Sequence, residues 1–158
     1  MPPLNKQKQI AEIVKCGKDP AYFINRYVKI QHPMKGRISF HTFPFQDECL
    51  KAFNDHRFNV VVKSRQLGLS TLSAAYAVWL ALFRKDKSIL VIATKLAVAQ
   101  NFIKKVKVAL SGIPEWMWIT EITAKNTQAI EFSNGSQIKA VPTSDDAGRS
   151  EALSLLIV

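Results

Sequence analysis

The chain has 158 residues, a length that suits one domain with a buried core. It is 47% hydrophobic and holds nine Phe, three Trp and three Tyr, enough apolar surface to exclude a disordered chain. Lys and Arg number 22 against 12 Asp and Glu, for a net charge of +10; this suits an anionic partner such as nucleic acid without specifying one.

Seven of the basic residues, Arg84, Lys85, Lys87, Lys95, Lys104, Lys105 and Lys107, fall in one stretch whose single acid is Asp86. Cys16 and Cys49 are too few and too far apart for a disulfide framework or a zinc site, which points to a reducing compartment. Residues 1–18 lack the apolar core of a signal peptide, and no apolar run reaches the about 20 residues that span a bilayer. The longest run, residues 72–83, reads as a buried helix.

Ile10, Ile13 and Val14 fall at helical spacing and predict a short amphipathic helix ending near Gly17. Asp19 then supplies an N-cap and Pro20 a first helical residue for a second helix through Tyr22, Phe23 and Tyr27. Pro33 to Gly36 break the pattern, an extended piece follows at residues 38–40, and Pro44 introduces a helix over 45–53.

Residues 58–63 contain Val60, Val61 and Val62, a β-branched run expected to form a buried strand. A helix over 69–83 follows, apolar on nearly every side and so buried between layers. Residues 88–93 repeat the strand signal and 95–110 the helix signal, with Val98, Phe102, Val106 and Leu110 on one face and Lys104 and Lys107 opposite. This alternation predicts an α/β fold with a parallel sheet. Residues 130–132 and 137–141 flank Asn134-Gly135, the pattern of a hairpin with a type I′ turn. Trp116 and Trp118 read as aromatic anchors in a loop rather than as a base-stacking platform. The final apolar run, 153–158, is expected to form a strand beside that of 58–63.

The stretch most informative about chemistry is Lys63, Ser64, Arg65, Gln66, Leu67, Gly68, Leu69, Ser70 and Thr71, between an expected strand and an expected helix. In the ordinary phosphate loop, G-x-x-x-x-G-K-[S/T], backbone amides and a helix N-terminus bind phosphate, the lysine reaches the terminal phosphates and the hydroxyl binds magnesium. Gly68 and Ser70 hold the second-glycine and hydroxyl positions, whereas Lys63 stands at the first glycine and Leu69 at the usual lysine. A lysine displaced to the mouth of the loop still reaches phosphate, because a long stem carrying a point charge tolerates a shifted attachment.

Several pieces in order, P-A-Y-F-I-N-R-Y-V-K-I-Q-H-P at residues 20–33, F-P-F-Q at 43–46, the loop itself, A-T-K at 93–95 and G-R-S at 148–150 before the last apolar run, resemble the large terminase subunits of tailed bacteriophages. The resemblance implies a P-loop NTPase fold of the ASCE type, a parallel sheet with flanking helices. Residues 1–57 would be a helical segment with an adenine-binding motif. Residues 58–158 would be a partial ATPase core from Walker A to the start of the Walker B strand, without the nuclease domain.

By that resemblance Gln46 would contact the adenine edge, residues 63–71 would hold ATP, and Ser70 would bind Mg2+. Lys63, Arg65 and Arg149 would serve catalysis, either arginine being the finger that stabilises charge on the γ-phosphate. The implied partners are double-stranded DNA, the portal protein, the small terminase subunit and further copies in a ring, in the cytoplasm of a bacterial host and transiently at the procapsid portal, with no membrane. In that family the last strand is followed by Asp-Glu. Neither stands here, and Asp145 and Asp146 precede the strand rather than follow it, so the chain is expected to bind nucleotide weakly at most and not to hydrolyse it. The other functions compatible with the residues are a helicase-like ATPase and a non-catalytic nucleic-acid-binding module.

Overall fold

Two side-chain caps organise the start of the chain in the computed structural model, which describes residues 5–144 and 152–158. Asn5 accepts from the Lys8 amide at the head of α1 (Lys6–Lys18), and Asp19 accepts from the Tyr22 amide at the head of α2 (Pro20–Tyr27). Each satisfies a donor that the first turn of a helix leaves unpaired. The two helices are tied through Glu12, whose Oε1 accepts from Tyr22 Oη at 2.9 Å and Tyr27 Oη at 2.8 Å and pairs with Arg26 Nε at 3.0 Å.

A small antiparallel hairpin follows, β1 (Lys29–His32) with β2 (Gly36–Ser39), turning at the predicted Pro33 to Gly36 break. Helix α3 (Pro44–Asp55) begins at the predicted proline. Helix α4 (Leu69–Phe83) is buried on nearly all sides, as its uniformly apolar sequence requires. Its Trp79 has no room for solvent and donates from Nε1 to the Cys16 carbonyl at 2.8 Å, satisfying the one polar atom of the ring.

The main sheet has the order β4 (Ile122–Lys125), β5 (Ala129–Phe132), β6 (Gln137–Pro142), β3 (Ser88–Ala93), β7 (Leu155–Ile157). β6, β3 and β7 run parallel, and β4 and β5 add an antiparallel arm, so the α/β class holds but the sheet is mixed rather than wholly parallel. Helix α5 (Leu96–Leu110) lies on β3 and β6 with α4 against it. Trp79, Leu72, Ile89, Ile103 and Ile138 close the core between them.

The β5–β6 hairpin differs from the type I′ expectation. Gly135 has φ +81 whereas Asn134 does not take a positive φ, and the Gly135 amide donates to the Phe132 carbonyl. That is a wider turn closed by a glycine in the left-handed region. Asn134 is instead occupied by its side chain, whose Nδ2 donates to the carbonyls of Ala81 and Arg84 and pins the hairpin to the end of α4. Trp116 and Trp118 pack against the core, Trp116 edge-on to Tyr27 at 5.9 Å.

Residues 58–63 overturn a larger expectation. They form no strand: no described strand pairs with them, and Val60 and Val62 stand 93% and 96% exposed. A β-branched run prefers a pleated surface with neighbours, and without a ladder partner the preference has nothing to act on. β7 accordingly pairs with β3 on one side and forms an edge of the described sheet, not a centre beside 58–63. No helix among the described residues is long and apolar enough to cross a membrane.

Candidate phosphate-binding site

Between residue 63 and α4 the chain makes a loop of unusual backbone. Gln66 has φ +64 and Gly68 has φ +71, ψ 8, two left-handed residues within three positions. Gly68 is the N-cap of α4, and its carbonyl accepts from the amides of Thr71 and Leu72. Among the described residues none of the backbone amides from Ser64 to Ser70 donates a hydrogen bond. Alternating right- and left-handed residues form concave nests of such amides, and a helix N-terminus adds partial positive charge, so the loop has the chemistry of an anion cradle.

The loop borders a cavity of 1170 Å³ whose lining includes Lys63, Ser70, Ser73, Asn101, Lys105 and Thr143. Lys63 donates weakly from Nζ to the Ser64 carbonyl at 3.3 Å, a contact that leaves its charge free for a stronger partner. Ser70 is exposed, and its hydroxyl makes no hydrogen bond to any other described residue. Leu69, at the usual lysine position, instead faces inward and is buried. Thr71 is half-buried one residue further along α4, and Arg65 is exposed.

Gln46, expected from the resemblance to contact the adenine edge, lies beside the loop but is not among the cavity-lining residues, and its amide is engaged within the protein. It is 2% exposed, Nε2 donates to the Leu67 carbonyl at 3.0 Å, and Oε1 accepts from the Phe43 amide at 3.1 Å. A Cβ added at Gly68 would lie 3.0 Å from that Nε2. Gln46 is thus a strut between the first turn of α3 and the loop before α4. Two exposed rings, Phe43 and Phe45, stack in parallel beside it, 5.9 Å apart.

Arg149, Asp145 and Asp146 lie outside the described residues. No group of three or more His, Cys, Asp or Glu able to hold a metal is found among the described residues. The Ser70 hydroxyl fits magnesium in the mode in which the ion keeps few protein ligands and takes its others from phosphate oxygens and water.

In the sequence Lys105 is one member of a general basic cluster, and nothing in composition singles it out. The signal for it is helical spacing: it lies three and four residues beyond Phe102 and Asn101, which line the same cavity.

A family model described as terminase large subunit, T4likevirus-type, N-terminal, matches residues 60–153, the span from the exposed valine run through the loop, β3, α5 and the hairpin. This covers more than half of the chain, and the chain belongs to the terminase large subunit family of tailed bacteriophages.

Proposed function

We propose that this chain is the nucleotide-binding front part of an ATP-driven motor that packages double-stranded DNA, built on a P-loop NTPase core. The observation that carries the reading is the run of amides from Ser64 to Ser70 that pair with no acceptor among the described residues, at the N-terminus of the buried helix α4 and beside a cavity lined by Lys63 and Ser70. A terminase large subunit has a packaging role, and a phosphate cradle is what such a role requires for its energy source.

In this reading the amides of 64–70 bind the phosphate oxygens and Lys63 neutralises charge at the terminal phosphates. Magnesium, arriving with the nucleotide, supplies charge neutralisation between phosphates and is held by Ser70 and the phosphate oxygens. Gln46 holds the loop in shape and presents the second hydrogen of its amide to an adenine edge. Arg65 reaches the γ-phosphate from within the loop, and Arg149 acts across a ring of copies. Duplex DNA, portal protein and small terminase subunit are the partners of the assembled motor, working in a bacterial host cytoplasm.

The test is equilibrium binding of a fluorescent ATP analogue with Mg2+, displaced by ATP. The reading expects displacement by ATP and about tenfold weaker binding in Lys63→Ala, the loss expected for one charge-assisted contact. Equal binding by wild type and Lys63→Ala contradicts it.

A further inference from the structure

The cavity beside the loop is lined by Arg57 and Lys63 and by a further cation on another element, Lys105. Helix α5 directs Asn101, Phe102 and Lys105, one helical turn apart, into the same space that Lys63 enters from the extended segment before the loop. Lys105 is half-buried, and among the described residues it forms no hydrogen bond and no ion pair. Burial, with the charge of Lys63 adding to it, holds the Lys105 ammonium below its ordinary value. Asp55, at the end of α3, is the one acidic side chain in the described lining.

The half-buried Lys105 ammonium loses hydration and is repelled by the charge of the exposed Lys63, a cost that a multivalent anion between them would offset. Ser70 lines that space with Lys63, and the adjoining amides of 64–70, which pair with no acceptor among the described residues, suit phosphate oxygens. We propose that Lys105 is a second phosphate-binding residue, clamping with Lys63 the terminal phosphates of a nucleoside triphosphate seated on the loop. The proposal rests on the nucleotide reading above and extends it to a residue on a different element. A compact, flexible triphosphate reaches a recessed lysine, whereas the phosphates of a duplex lie on a convex surface.

The experiment compares wild type, Lys105→Met, Lys105→Arg and the exposed neighbour Lys104→Met in the 158-residue chain, with folding checked by circular dichroism. Binding of inorganic tripolyphosphate, ATP and adenosine is followed by nuclear magnetic resonance titration, which reads millimolar affinities, and a short DNA duplex is titrated in parallel. Lys105→Met is expected to weaken tripolyphosphate and ATP about tenfold and adenosine less than about twofold, with Lys105→Arg restoring most of the loss and Lys104→Met near wild type.

Unchanged tripolyphosphate binding in a folded Lys105→Met protein overturns the clamp while leaving the nucleotide reading intact. Wild type that binds no triphosphate overturns both. A loss confined to the DNA duplex assigns Lys105 to a nucleic-acid backbone and also overturns the clamp. If Lys105→Met fails to fold, Lys105→Arg decides: near-wild-type binding of tripolyphosphate supports the clamp, and loss of that binding in a folded protein overturns it.

Discussion

Gln46 Nε2 donates to the carbonyl oxygen of Leu67 at 3.0 Å, joining the first turn of α3 to the middle of the loop that precedes α4. The loop has no other side-chain strut of this kind among the described residues, and Oε1 of the same amide holds the Phe43 backbone. Gln46→Leu keeps the bulk but removes the side-chain partners of the Leu67 carbonyl and the Phe43 amide. It is expected to cost about 2 kcal/mol in urea unfolding and to weaken ATP by more than the stability loss explains. Unchanged nucleotide affinity in Gln46→Leu would mean that the strut does not shape the site.

Gly68 combines φ +71 with a neighbour at the limit of contact, since an added Cβ would meet the Gln46 amide at 3.0 Å. Gly68→Ala is therefore expected to cost about 1–2 kcal/mol for the left-handed backbone and to displace the strut as well. Thermal unfolding measures the first effect, and titration with ATP the second.

Leu69 and Lys63 separate packing from charge. Leu69 is buried at the first turn of α4, so Leu69→Ala should lose about 2–3 kcal/mol of stability while a folded sample keeps its ATP affinity to within about threefold. Lys63 is exposed, so Lys63→Ala should leave the melting temperature within a degree or two and weaken ATP about tenfold. Paired calorimetry and binding on the two variants would show the opposite pattern if the lysine position of the ordinary loop were the functional one.

Glu12 gives a pH-dependent term far from the loop. Burial pushes its carboxyl up, but the hydroxyls of Tyr27 and Tyr22 and the charges of Arg26 and Lys15 outweigh this and hold it below its ordinary value of 4.5. A carboxyl lowered by folding contributes stability that is complete above the unfolded value and is lost as pH falls through the folded one. Glu12→Gln should thus cost about 1 kcal/mol at pH 7, with the gap from wild type closing as pH drops below about 4.5, as followed by urea unfolding at several pH values.

Much of the fold is legible because its signals are local. Asp19-Pro20, Pro44 and the uniformly apolar stretch of α4 each specify an element through capping, a fixed φ or burial on all sides. What escaped depends on partners distant in sequence. Val60 to Val62 carry a strand preference with no described ladder to join, β7 pairs along one edge, and β4 is an arm whose place is set by β5. At the site, the glycine and the hydroxyl were readable from spacing, and Gln46 from resemblance. That its amide is a strut, and that Lys105 shares a cavity with Lys63, follow from packing that spacing does not encode.

The central claim is that the loop from Ser64 to Ser70 receives the phosphates of ATP. It is tested most directly by backbone amide nuclear magnetic resonance of the isotope-labelled chain titrated with Mg2+ and ATP. The account predicts saturable shifts concentrated at the amides of 64–70 and at the side-chain amide of Gln46, reproduced at the loop by tripolyphosphate. Shifts absent from those amides, or confined to the lysines of α5 and the surface, would contradict it.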